Sequence, residues 1–301
     1  MLSVGDRIAA FLSAKFPLNK IAPSHYGGLL TEYAQSALRP PHLLEELETG
    51  DEGKFWSAIW EAMLYHHFSR LGLHLKNSCG TSGQHGPDFG FEMNGRTIWV
   101  EAVVPGPQGI PADYLEPPGK ELRVRRKPDH ERVLRCTSAI ADKRMKFEEY
   151  LRKGIVAPED VTVIAVNICR LSDWDVDGNG ISQLPLTLEA VFPVGPLAVA
   201  ITPEGKLAEH AQHTPRFAIQ KASGLGIQTA NFLDPAYANV SAVLQGYQKD
   251  IYQKPIVLSI IHNPMATVSL PLQMFAAFRE FVATEEGDDY TLRDIVVRAE
   301  A

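Results

Sequence analysis

Two short runs, Pro87 to Met93 and Arg96 to Pro105, flank the dipeptide Asn94-Gly95, and each run carries an acid near its far end. Asn-Gly between alternating runs is a strong hairpin signal. With a two-residue turn, cross-strand partners have numbers summing to 189, so Asp88 falls opposite Glu101. Directly opposed Cβ atoms are roughly 5 Å apart, and like charges there repel. A divalent cation between the carboxylates would relieve that repulsion, since a hard ion such as Mg²⁺ takes carboxylate and water oxygens and keeps waters free to meet a phosphate. A solvent-exposed hairpin face would also tolerate both acids, and spacing alone leaves the two readings open. Phe89, Phe91, Ile98, Val100, Ala102 and Val104 alternate with the acids and form the expected core face.

Glu61 and Lys143 are the other candidates, and each depends on a helix to position it. Asp51 to Leu71 reads as a helix that is apolar nearly all round, ended by Gly72, with Glu61 in its middle. A buried carboxylate there needs a partner. The alternative is that Glu61 points to the helix's wet side, near Lys54 and Ser57. Asp129 to Leu151 reads as a second helix. Its stripe Cys136, Ile140, Lys143, Phe147, Tyr150, at steps of four, three, four and three, places a lysine among inward positions. Either that lysine has a charged partner inside or its long stem carries it out to solvent.

In this order and context, helix Glu61, then Pro87-Asp88, then Glu101 in Trp99-Val100-Glu101-Ala102-Val103, then a helix and a strand, the stretch from about Asp51 to Cys169 resembles the PD-(D/E)XK restriction-endonuclease-like superfamily. The resemblance implies a core of helix, three strands, helix and strand. It implies that Asp88 and Glu101 hold Mg²⁺, or Mn²⁺ in its place, with Glu61 as an auxiliary acid and the Ala102 carbonyl completing the shell. The chain departs from the family at Val103, where the pattern has a lysine. Some members supply that group from the following helix. Lys143 is the candidate here, with Arg132 and Lys146 ranked below it. The implied activity is metal-dependent hydrolysis of phosphodiester bonds, with DNA the expected substrate. The alternative is a nuclease-fold protein that binds nucleic acid or a protein partner without cutting.

Charge distribution bears on the partner. The net charge of −7 does not describe a general polyanion binder. Between Lys120 and Lys146, however, ten Lys or Arg stand against four acids, an excess of six that leaves −13 for the rest. A basic stripe on an acidic body suits one face meeting a nucleic acid, and Lys120, Arg123, Arg125, Arg126 and Lys127 are the expected phosphate contacts. A salt-bridged helix surface produces the same run of charges.

The remaining sequence sets the frame. With 301 residues, 45% hydrophobic, there is ample material for a buried core. No run approaches a membrane span, and the N-terminus lacks the marks of a signal peptide. Three cysteines (Cys79, Cys136, Cys169) without paired spacing suggest free thiols and a cytoplasmic setting, in which the Asn239-Val240-Ser241 sequon is idle. Residues 1–50 read as a helical N-terminal extension: helices from Val4 to Phe16, Ser24 to Leu38 and Pro41 to Glu48. Residues 51–301 read as one α/β domain, with a central mixed sheet flanked by helices. Gly106 to Lys127, with four prolines, reads as a long loop. Strands are expected at Leu73–Lys76, Val161–Cys169, Leu197–Thr202, Val240–Leu244 and Ile256–Ile261, and a helix at Leu272–Thr284. The C-terminal strands are expected to extend the sheet, with room for a homodimer surface. Three motifs carry less. Asp173-Trp174-Asp175-Val176-Asp177-Gly178 starts like a calcium loop but ends on Leu184. Gly224-Leu225-Gly226 is half of a dinucleotide fingerprint. His66, His67 and His74 lack zinc spacing.

Overall fold

The hairpin forms as its turn chemistry predicts. Asn94 and Gly95 both have positive φ, 52° and 76°, the backbone a primed two-residue turn demands. In this computed structural model, which describes residues 2–18, 21–76, 86–116, 126–171, 178–201, 204–221, 223–247, 257–275, 279–287 and 289–296, β2 (Phe89–Met93) and β3 (Arg96–Val103) pair from Phe89↔Val100 to Met93↔Arg96. Every pair sums to 189, the register expected. Gly90 faces Trp99, and a Cβ there would lie 2.4 Å from the indole ring, so the ring packs directly on the backbone. Trp99 Nε1 then donates to Asp160 Oδ2 at 2.9 Å.

The hairpin is part of an eight-stranded mixed sheet. It includes β1 (Leu75–Lys76), β4 (Val161–Asn167), β9 (Ala242–Gly246), β10 (Ser259–His262), β11 (Arg279–Glu286) and β12 (Asp289–Val296), in the order β1-β2-β3-β4-β9-β10-β11-β12. β3, β4 and β9 run parallel. Every residue of β4 is buried, as a central parallel strand covered on both faces requires.

Four helices cover one face: α1 (Val4–Lys15), α2 (Ile21–Gln35), α3 (Leu43–Glu48) and α4 (Glu52–Arg70). Their apolar residues share a core with Phe89, Phe91, Ile98, Val100, Ala102 and Val104. Asp51 caps α4, accepting from Lys54 N at 2.9 Å. Buried Trp60 donates to the Ala165 carbonyl at 3.0 Å, tying α4 to the middle of the sheet. The short helix α5 (Ala112–Leu115), the long helix α6 (Asp129–Arg152) and α7 (Leu186–Val191) belong to the other face. There Cys136, Ile140, Phe147 and Tyr150 of the predicted α6 stripe pack with Ile164 and Val166 of β4.

Several expectations need correction. The helix expected over Leu272–Thr284 does not form. Among its described residues, the chain turns near Gln273 and then enters β11, which pairs parallel to β10 and antiparallel to β12. Pairing with two strands outweighs a helix-like run of apolar residues. The stretch Gly106 to Lys127, read as loop, contains α5. The C-terminal strands do not all extend the central sheet. β5 (Val194–Ile201) with β6 (Leu207–Pro215), and β7 (Ala218–Gln220) with β8 (Gly226–Gln228), form separate two-stranded sheets. Among the described residues, no helix is long and apolar enough to cross a membrane.

Candidate active site

The structure brings Glu61, Asp88, Glu101 and Lys143 together from both faces of the sheet. Glu101 stands on the α6 side of β3 and is 1% exposed. Its Oε1 accepts from Lys143 Nζ at 2.7 Å and from Lys146 Nζ at 3.0 Å. Its Oε2 is buried with no hydrogen-bond partner among the described residues. Lys143 is nearly buried, whereas the Lys146 side chain remains half exposed. The lysine on the inward stripe therefore stays inside, held by the acid.

Asp88 sits just before β2, where the ladder has ended, and its Oδ2 accepts from Ala102 N–H at 2.7 Å. Continued register would pair Ala102 with Pro87. Proline has no N–H to offer the Ala102 carbonyl, so the end of the ladder cannot close in the usual way. Burial, and then the neighbouring Glu101 carboxylate, push the Asp88 carboxyl up from 3.8 to about 7, with Lys143 pulling the other way.

Glu61 comes from α4 on the opposite side. Its Oε2 accepts from the Tyr33 hydroxyl of α2 at 2.9 Å. Burial, and then Asp88, raise its carboxyl from 4.5 to about 8. Burial and the charge of Glu61 also raise the Tyr33 hydroxyl. Glu61 and Asp88 share a depression of about 500 Å³ with Gly53, Lys54 and Ser57. The two readings of Glu61 therefore describe one geometry: it faces the wet side near Lys54 and Ser57, and Asp88 lines the same opening.

This donor set can be tested against a divalent cation. Three carboxylates face two lysine ammoniums, and one carboxylate oxygen is buried without a partner. Burial, and after it a neighbouring acid, raises both the Asp88 and the Glu61 carboxyl. Among the described residues, no three His, Cys, Asp or Glu side chains converge into a ready-made ligand cage. Mg²⁺ does not need one, because it binds through one or two carboxylates and keeps its waters. The residues fit such an ion, for which Asp88 and Glu101 would be the carboxylate donors.

Of the expected phosphate contacts, Arg126 and Lys127 are described, and both stand just before the start of α6. Lys120, Arg123 and Arg125 lie outside the described residues, as does the calcium-like loop up to Asp177. Arg126 is exposed and Lys127 donates to the Asn179 carbonyl at 2.8 Å. Lys143 lies about 21 Å along α6 from the start of that helix at Asp129. Much of the basic stripe is engaged internally. Arg132 is fully buried, 3.7 Å from Asp129, and Arg144 pairs with Glu148 at 3.1 Å. His66 pairs with Glu32, and His67 meets the Phe275 carbonyl. Cys136 and Cys169 are buried thiols, and burial pushes the Cys136 thiol up to about 12.

Sequence reasoning missed Tyr33, because nothing local links it to a carboxylate 28 positions away. It ranked Lys146 below Lys143. Their three-residue spacing puts both on one helix face, and that signal was legible. No family model, no curated protein and no solved structure matches the chain.

Proposed function

We propose that the protein is a metal-dependent phosphodiesterase of the restriction-endonuclease-like kind, acting on nucleic acid, with DNA the expected substrate. The observation that carries this reading is the Glu101 carboxylate: buried, gripped by two lysines on one oxygen, unpartnered on the other, and adjacent to Asp88. When bound at these acids, Mg²⁺ or Mn²⁺ supplies charge to a phosphoryl oxygen and acidifies a water. Asp88, oriented by the Ala102 N–H, and Glu101 Oε2 hold that charge at the end of the β2–β3 ladder. The Lys143 ammonium stabilises negative charge developing on the phosphoryl group, from an almost water-free position where such an interaction is strong. Lys143 and Lys146 thus compensate for Val103, which packs against the apolar core on the α6 side. Glu61, held through Oε2 by Tyr33, would position a water at these acids through Oε1.

The test is cleavage of plasmid and linear DNA with Mg²⁺ or Mn²⁺. The wild type should cut, and Asp88→Ala, Glu101→Ala and the double variant should not. Equal cutting by all four would remove these residues from the centre.

A second reading, binding without cutting, is favoured by the two ion pairs on Glu101 Oε1. They satisfy much of that carboxylate within the chain itself. Under this reading the protein retains DNA with either metal and leaves it intact.

A further inference from the structure

A recess apart from the acids lies along α6. It is a groove of about 920 Å³ between α6, the β7–β8 hairpin and the turn at Gln108-Gly109. That volume falls near the top of the range for small-molecule sites, about 300–1,000 Å³. Four carboxamides line it: Gln108, Gln220, Gln228 and Asn231. Among the described residues, the first three have exposed side chains with no intramolecular hydrogen bond. Asn231 donates to the Ala190 carbonyl at 2.9 Å, which holds its amide in one orientation. Arg135 and Lys221 add positive charge, and Glu131 is the one acid among the lining residues. Tyr237 contributes an aromatic wall.

We infer that this groove binds unpaired nucleotides of a single-stranded nucleic acid, reading base edges with its carboxamides. A carboxamide presents a donor beside an acceptor, the pattern that matches a base edge. Cations and an aromatic side chain complete the usual set for holding a single strand. A duplex shows its base edges only at the floor of its own grooves, where a protein protrusion can reach them. A concave recess reads bases that have been splayed out. Helix α6 links this groove to the acids. Ser138 lines the groove, and Lys143 on Glu101 stands five residues later, about 7.5 Å along the axis. The inference rests on the nucleic-acid reading above and names the strand form of its substrate.

The experiment is binding by fluorescence anisotropy with the full chain, in the presence of chelator so that no cleavage occurs. The probes are a short labelled DNA strand, its RNA counterpart and the same DNA as duplex. A single strand, DNA or RNA, should bind at least about ten-fold tighter than the duplex. The double variant Gln220→Ala, Gln228→Ala should lose about ten-fold, at an unchanged melting temperature. Lys221→Glu should weaken binding and flatten its salt dependence by about one ion. Duplex bound as tightly as the strand, or a double variant that binds like wild type, would overturn the inference. Asp88→Ala separates it from the cleavage reading. If that variant stops cutting while strand binding persists, both stand. If the wild type never cuts yet binding depends on Gln220 and Gln228, the groove stands without the nuclease. If the wild type cuts and binding ignores those residues, the groove fails alone.

Discussion

Glu101 and Glu189 are both buried glutamates on the α6 side of the sheet, and their surroundings differ in kind. Glu189, fully buried in α7, accepts from Ser182 N–H on Oε1 at 2.7 Å and from Arg216 on Oε2 at 2.6 Å. A third, Glu280 of β11, is likewise matched on both oxygens, by Gln273 N–H and by His262. Glu101 instead has two lysines on one oxygen, none on the other, and two further acids nearby. Burial of a charge therefore does not mark a functional site here. Lopsided satisfaction beside an excess of like charge does, because a group balanced within the fold has nothing left to offer a ligand.

The comparison breaks if the two glutamates respond alike to substitution. Glu101→Gln should lower metal-dependent cleavage by about a thousand-fold while its melting temperature changes little, since losing an acid relieves crowding; paired nuclease assays and calorimetry check both. Glu189→Ala should do the reverse. It leaves Arg216 buried beside no acid, at a cost of about 3–5 kcal/mol, read by urea unfolding, with no metal-specific effect.

Smaller effects sharpen the contrast. Lys143→Met should cost cleavage more than Lys146→Met, because the half-exposed ammonium works in a more screening environment. If the order reverses, Lys146 is the group that replaces the missing lysine. Without metal, the folded chain holds protons on Asp88 and Glu61 more tightly than the unfolded chain does. Stability should therefore fall as pH rises from about 4 towards 8, the span between their usual values and about 7 and 8. Melting curves in chelator should show this slope, and Asp88→Asn should flatten it. Tyr33→Phe should have the smallest effect, about 1 kcal/mol of stability from one hydrogen bond. Its more telling readout is a change in the pH profile of cleavage, which a purely structural role would leave in place.

The hairpin was legible because its information is local. Asn94-Gly95 dictates the turn, the turn dictates the register, and alternation assigns the faces. Helices α4 and α6 were legible for the same reason. β11 was not: Leu272 to Thr284 has the apolar content of a helix, and only pairing with β10 and β12 overrides it. The basic stripe was legible only as a run of charges. Counting charges cannot reveal that Arg132 is buried or that Lys143 and Lys146 turn inward onto one carboxylate.

By itself the sequence determined that Asp88 and Glu101 flank one tight turn in matched register, and that Glu61 and Lys143 lie on helices with apolar inward faces. Only the tertiary structure decided that α4 and α6, on opposite faces of the sheet, aim those side chains at the same end of the hairpin. It also decided that Tyr33 reaches Glu61, and that Glu189 is matched on both oxygens where Glu101 is matched on one. The first set depends on backbone geometry within a few residues. The second depends on which distant elements share a low-dielectric space, where each charge is settled by whatever the packing brings beside it.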